Sequence, residues 1–256
     1  MARARTYPVV ATVIGRVKLG EADLILTLLS SDGSLVRAVA KGARKPTGKL
    51  AGRTQLFSEG KYLIAKGRTL DVVCEASLTD ARAKIAYDPD ASEAAAAICS
   101  VARLVSFEES PDPYLYGLFV RSLLALAQVQ ELEGEGERRA LLFEVVAAYT
   151  FKALSHEGWR PETSNCIECG DEQVTRFSVA AGGALCESCA RDVAGAQLAD
   201  PALLGWIEAL VSLTFDDLLA QPASLDTACL LLEQAHLWAA THLDARLKAF
   251  EFLRGV

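Results

Sequence analysis

Leu24-Ile-Leu-Thr-Leu-Leu29, Ser30-Ser-Asp-Gly33 and Ser34-Leu-Val-Arg-Ala-Val-Ala40 read in one pass as strand, turn and strand. The first run is short and apolar. Asp32-Gly33 supplies the turn, and the second run opens by alternating apolar and polar positions, so the three pieces predict a β-hairpin. Upstream, Val10-Ala-Thr-Val-Ile-Gly-Arg-Val17 is rich in β-branched residues and reads as a strand before the hairpin. Downstream, Lys61–Ala65 and Thr69–Glu75 form a second strand pair around Lys66-Gly67-Arg68. Five short strands within residues 1–80 fit a small closed barrel. The OB-fold is the five-stranded member of that group, and an SH3-like barrel shares the pattern.

Past Asp80 the chain turns to Ala, Leu and Glu. The pattern predicts helices over Ser92–Phe107, with Ser92 as N-cap, and over Tyr114–Glu131, Glu137–His156, Pro201–Leu213 and Leu225–Phe252. Leu142, Val146, Tyr149 and Ala153 recur at helical spacing and mark one buried face. The expected organisation is a multi-domain α+β chain. A five-stranded OB-fold barrel occupies 1–80, the first part of an α-helical domain 81–160, a four-cysteine zinc-ribbon insert 161–195, and the second part of the helical domain 196–256.

Hydrophobic residues at 51% and charged residues at 23% exclude a disordered chain. No apolar run reaches the roughly 18 residues of a membrane span. The start, Met1-Ala-Arg-Ala-Arg5, leads into no apolar segment of the kind a signal peptide needs. The expected location is cytoplasmic, where seven cysteines read as metal ligands or core thiols rather than disulfides. The net charge of −7 conceals a split, because residues 1–80 hold 13 Lys and Arg against 7 Asp and Glu, and the remainder 13 against 26. A head at +6 on a body at −13 directs a polyanion to the head and other partners to the body.

Cys166-Ile-Glu-Cys169, sixteen residues, then Cys186-Glu-Ser-Cys189 match the spacing of a tetrahedral zinc site. Two redox pairs are the alternative, but neither pair opens a helix in a βαβ setting. Four sulfurs leave no open position for water, so one structural Zn2+ is expected rather than a catalytic one. Acidic residues in the insert make it a poor phosphate binder and fit a staple or a protein-contact surface. Cys74, Cys99 and Cys229 sit in apolar patterns and read as core thiols. His156, His236 and His242 read as helix-surface or helix-end residues. No spacing typical of a catalytic nucleophile, metalloprotease, deaminase or P-loop occurs. The chain is therefore expected not to be an enzyme, with a zinc-dependent enzyme as a minority reading.

Lys41-Gly-Ala-Arg44-Lys45-Pro-Thr-Gly-Lys49-Leu-Ala-Gly-Arg53 carries five positive charges and no acid. Its three glycines and one proline predict a flexible loop. Lys18 and Arg37 lie on neighbouring strands. Tyr7, Phe57 and Tyr62 are the aromatics of the head, too few for extensive base stacking. Nucleic acid bound here would be held through its phosphates, with strong salt dependence and little sequence preference, as single or double strand.

The chain resembles the bacterial RecO family of recombination mediators. The resemblance rests on Gly20-Glu-Ala-Asp-Leu-Ile25, Asp32-Gly33, Ala40-Lys-Gly-Ala-Arg-Lys45, Leu56-Phe57, Lys66-Gly67 and the four-cysteine insert. It implies an N-terminal OB-fold, a helical bundle and a zinc ribbon. It also implies DNA binding, annealing of complementary strands and recombinase loading on single strands coated with single-strand-binding protein. The implied partners are RecR and the acidic C-terminal tail of single-strand-binding protein, and the implied location is cytoplasmic and nucleoid-associated. The DNA-contact candidates are Lys41, Arg44, Lys45, Lys49 and Arg53 of the basic loop, with Arg37 beside them. An RNA-binding factor in translation or RNA metabolism is the alternative, since an OB-fold head does not by itself separate DNA from RNA.

Overall fold

The computed structural model describes residues 6–254. Met1–Arg5 and the last two positions lie outside the described residues. The chain forms two compact units, Met1–Val120 and Arg121–Val256.

In the first unit, β1 (Thr6–Leu19), β2 (Asp23–Ser30), β3 (Leu35–Ala40), β4 (Glu59–Ala65) and β5 (Asp71–Asp80) close into a barrel in the order β1-β2-β3-β5-β4. β3 and β5 run parallel through Ala38↔Asp71 and Val39↔Val72, and the other pairs are antiparallel. Strand number, closure and this single parallel pair make it an OB-fold. Alternation builds its core. Leu24, Leu26 and Leu28 of β2 point inward, where they meet Val13, Ala38, Tyr62, Ile64 and Val73. A bulge between Val13 and Gly15 bends the long β1, which pairs with β4 near its start and with β2 over its later half. Gly33 is obligatory in the hairpin turn. Its φ is +90°, and an added Cβ would fall 1.9 Å from the carbonyl oxygen of Asp112.

The 41–53 segment is ordered, against the flexible loop expected. Two of its apolar residues, Ala43 and Leu50, are buried in the barrel core. The Asp23 carboxylate accepts from the Gly42 amide at 2.7 Å, and Arg44 N–H donates to Ala22 O at 2.9 Å. A 3-10 turn over Ala51–Arg53 completes it. The segment plugs one end of the barrel and presents its cations outward.

α1 (Ala83–Ala86) and α2 (Pro89–Val105) follow. α2 is capped by Asp88, which accepts from Ala91 N–H, with Pro89 at the first helical position. The expected cap at Ser92 is therefore replaced by an Asp-Pro start, which supplies both an acceptor and a preset φ. α3 (Pro113–Val129) carries the chain into the second unit. No described helix is long and apolar enough to cross a membrane.

The second unit is built on α4 (Glu135–His156), which packs against α7 (Leu225–His242) and α5 (Pro201–Ser212). Every residue from Ala140 to Leu154 is buried, so α4 is a central helix and not the one-faced helix expected. α6 (Phe215–Ala220) had no clear sequence signal beyond its Thr214/Asp217 capping box. The single helix expected over 225–252 is two, α7 and α8 (Lys248–Arg254), separated where Asp244 adopts φ 46°. Asp tolerates that left-handed conformation, and the break lets Leu247 and Phe250 bury. Between α4 and α5 the insert forms a three-stranded sheet in the order β7-β6-β8, from β6 (Arg176–Ser178), β7 (Gly183–Leu185) and β8 (Gln197–Leu198).

α4 carries two buried charged side chains. Lys152 Nζ donates to Val211 O at 2.9 Å and also to Leu213 O, so it caps the C-terminal end of α5; burial lowers its pKa to about 8. Glu144 accepts from Ala223 N–H at 3.1 Å through one oxygen, while the other is buried without a hydrogen-bond partner. Burial raises its pKa to about 7. A raised folded-state pKa means that stability present below the unfolded carboxyl range is lost as pH rises through about 7. The size is on the order of 3 kcal/mol, from about 1.4 kcal/mol per pKa unit. Glu144→Gln keeps the acceptor for Ala223 and cannot ionise. Its melting temperature is expected to fall less than that of the unsubstituted chain between pH 5 and pH 8, measured by calorimetry.

Candidate functional site

Two sites stand out, one in each unit. In the second unit, Cys166 and Cys169 flank a tight turn ahead of β6, and Cys186 and Cys189 flank another after β7. All four Sγ atoms lie within 4.8 Å of one another, and Cys169 Sγ is 3.8 Å from Cys186 Sγ. Sulfurs on a tetrahedron around an ion at about 2.3 Å stand about 3.8 Å apart. The turns are locked by Gly170 N–H donating to Cys166 O at 2.8 Å and Ala190 N–H donating to Cys186 O at 3.0 Å. Gly170 has φ 78°, which glycine adopts without strain. Two further bonds hold the turns to each other, Ile167 N–H to Ala184 O and Thr175 N–H to Leu185 O, both 3.0 Å.

The electrostatics of the four thiols fit a cation. Backbone donors, chiefly at Cys186, lower Cys166, and Ser188 Oγ at 3.0 Å leads the groups that lower Cys186 to about 6. Cys189 is pushed up to about 12, first by its sulfur neighbour Cys186. Four sulfurs this close cannot all ionise on their own, and a divalent ion at their centre removes the conflict. The cluster can hold a metal ion with every ligand a thiolate. The insert is also tied into its unit, because the Phe177 and Trp238 rings stand 5.9 Å apart and Trp238 Nε1 donates to Trp159 O at 2.9 Å.

In the first unit, Lys41, Lys49 and Arg53 of the basic segment line one groove of about 990 Å³ on the outer face of β4 and β5. Lys61 of β4 joins them, a residue absent from the set expected on sequence, and Glu75 is the single acid on the lining. The signal for Lys61 was there in the alternation of β4, where Tyr62 and Ile64 are buried and Lys61 is exposed. The rest of the candidate set is divided. Arg53 donates to Ala76 O at 3.0 Å, and Arg44 donates to Gly20 O at 2.7 Å, so both guanidinium groups also fasten the segment. Lys45 is exposed on the same segment. Arg37 lies apart, in a hollow with Asp71, Glu108 and Glu109.

The isolated cysteines divide too. Cys99 is buried in α2, as expected of a core thiol, and burial raises its pKa to about 12. Cys74 and Cys229 are exposed, contrary to that expectation. Cys74 follows the inward Val73 on β5 and so points out, and Cys229 follows the buried Ala228 on α7.

Residues 5–82 match the family described as recombination protein O N terminal, and residues 86–249 match recombination protein O C terminal. The chain is also similar to curated proteins named DNA repair protein RecO. Those of Bifidobacterium longum strains DJO10A and NCC 2705 are each 32% identical over 244 residues, spanning 94% of this chain and 95% of theirs. The N-terminal description covers the barrel, the C-terminal one covers the helices with their cysteine insert, and the relatives run alongside almost from end to end: the chain belongs to the RecO family.

Proposed function

We propose that this chain acts in DNA repair and recombination as a DNA-binding mediator. In this reading it anneals complementary strands and assists recombinase loading on single strands coated with single-strand-binding protein. The observation that carries the reading is the groove with four cations and one acid on its lining, in a chain whose overall charge is −7. Such a surface attracts a polyanion locally while the rest of the molecule repels it. Annealing needs nothing more elaborate. Two strands repel through their phosphates, and a basic surface that neutralises both raises their local concentration and lowers the repulsion. No bond is made or broken, so the reading requires no nucleophile, base or open metal position, and the chain is not an enzyme. The cysteine cluster holds one structural Zn2+, which in this role supplies folding energy. RecR and the acidic tail of single-strand-binding protein are the protein partners, and the site of action is the nucleoid in the cytoplasm.

The test is annealing of complementary single strands, bare and coated with single-strand-binding protein, with and without the chain. A rate increase on both is expected. No increase on either sinks the reading. A groove that touches phosphates does not by itself separate DNA from RNA, so the same assay with matched RNA strands is run beside it. A clear preference for RNA would move the function to RNA metabolism.

A further inference from the structure

OB-folds ordinarily take nucleic acid across strands 2 and 3, between the loops that join strands 1 to 2 and 4 to 5. In this barrel that face is poorly suited to phosphate. Ile25, Thr27 and Val39 are half-buried there. The start of β3 is covered by the 107–110 segment, with Leu35 N–H donating to Phe107 O at 3.0 Å and Leu35 pairing with Glu108. That segment brings Glu108 and Glu109 into the hollow that holds Arg37, beside Asp71. Lys66, in the turn between β4 and β5, is already engaged. Its Nζ is 3.4 Å from Asp71 and 3.9 Å from Glu109, and it lies over the Tyr7 ring at 5.2 Å. Two cations and three carboxylates share this hollow, so a phosphate entering it meets net repulsion.

The opposite face has the reverse balance. Lys41, Lys49, Arg53 and Lys61 face Glu75 alone, and no hydrogen bond or ion pair engages the side chains of Lys41, Lys49 or Lys61 among the described residues. The floor between them is Pro8 and Leu63, paired across β1 and β4. Tyr62 is buried in the barrel core and presents no ring to a base. The surface is thus one for a sugar-phosphate backbone over a small apolar floor.

We infer that a single nucleic-acid strand runs along the β4–β5 face, held by Lys41, Lys49, Arg53 and Lys61, and not across the face of strands 2 and 3. This rests on the proposed function and specifies the path of the strand. Lys61 is the distinguishing residue, because it belongs to the barrel and not to the basic segment.

The experiment measures binding of a fluorescent oligo-dT by the full chain over a salt series. The variants are Lys61→Gln, Lys61→Arg and Arg68→Gln; Arg68 is exposed in the turn between β4 and β5, which borders the usual face. Thermal melts confirm folding, and both Lys61 variants must melt like the unsubstituted chain. Each single-strand phosphate that is no longer neutralised reduces the slope of log K against log salt by about 0.7. Lys61→Gln is expected to flatten the slope by that amount, Lys61→Arg to restore it, and Arg68→Gln to leave it alone. An unchanged slope in Lys61→Gln overturns the path, whether or not Arg68→Gln responds. Flattening by both variants puts the strand across both faces and also overturns it. If the unsubstituted chain binds no nucleic acid, the proposed function falls with it, an outcome separate from the others.

Discussion

Changing Lys41, Lys45 and Lys49 together to alanine is expected to flatten the salt dependence of single-strand binding by about 1.4 to 2, of which the two groove lysines, Lys41 and Lys49, supply about 1.4, and to weaken binding alike on every sequence. The three are chosen from the five cations of the segment because they are exposed and no hydrogen bond or ion pair engages their side chains among the described residues. Arg44 and Arg53 are left in place. Their guanidinium groups donate to the carbonyls of Gly20 and Ala76, so replacing them would loosen the plug of the barrel and confuse folding with binding. The buried members of the segment, Ala43 and Leu50, are untouched, and exposed substitutions of this kind cost under about 0.5 kcal/mol in stability. A solvated segment with no ligand predicts the opposite, unchanged affinity and an unchanged slope. A folded triple variant with the original salt dependence would remove the basic segment from the binding site.

The barrel was legible because its signal is local. The apolar run of β2 and the opening alternation of β3, joined by Asp32-Gly33, name both strands and their turn. The cysteine centre was legible for a similar reason, since each pair specifies its own turn and the two turns need only meet. What escaped depends on neighbours remote in sequence. Ala43 and Leu50 are two apolar residues in a basic run, and nothing nearby in sequence says that the barrel end needs plugging. Cys74 and Cys229 lie in apolar stretches, but the face each one takes is set by neighbours on other elements. The division between α7 and α8 turns on Asp244, whose left-handed conformation follows from where Leu247 and Phe250 must go. Arg37 is the instructive case at the site. It is adjacent to the basic segment in sequence, yet pairing of Leu35 with Glu108 brings acidic residues to its side, a pairing between positions 73 residues apart.

Removing the metal is expected to have the largest effect on the second unit. The insert has strands of three, three and two residues, and its core consists of Leu185 with Cys166 and Cys186, ringed by partly buried neighbours. So little apolar surface offsets only a small part of the entropy of ordering the insert. With the proposed zinc bound, its binding energy is folding energy for the insert. Cys169→Ser, or treatment of the unsubstituted chain with a strong chelator, should therefore release one zinc per chain and unfold the segment around 162–198. Amide exchange there should rise to that of an unfolded chain, while the barrel strands keep their protection. The effect should reach α7 as well. Phe177 stands 5.9 Å from Trp238, and Trp238 makes its indole bond to Trp159, so tryptophan emission should shift as the insert lets go. DNA binding, which the proposed function places on the first unit, should retain its salt slope. Elemental analysis finding no zinc in protein purified without chelator would defeat the assignment of the ion. Unchanged exchange across Cys166–Cys189 after chelation would show instead that the sheet stands without a metal, and that the four thiols are close for some other reason.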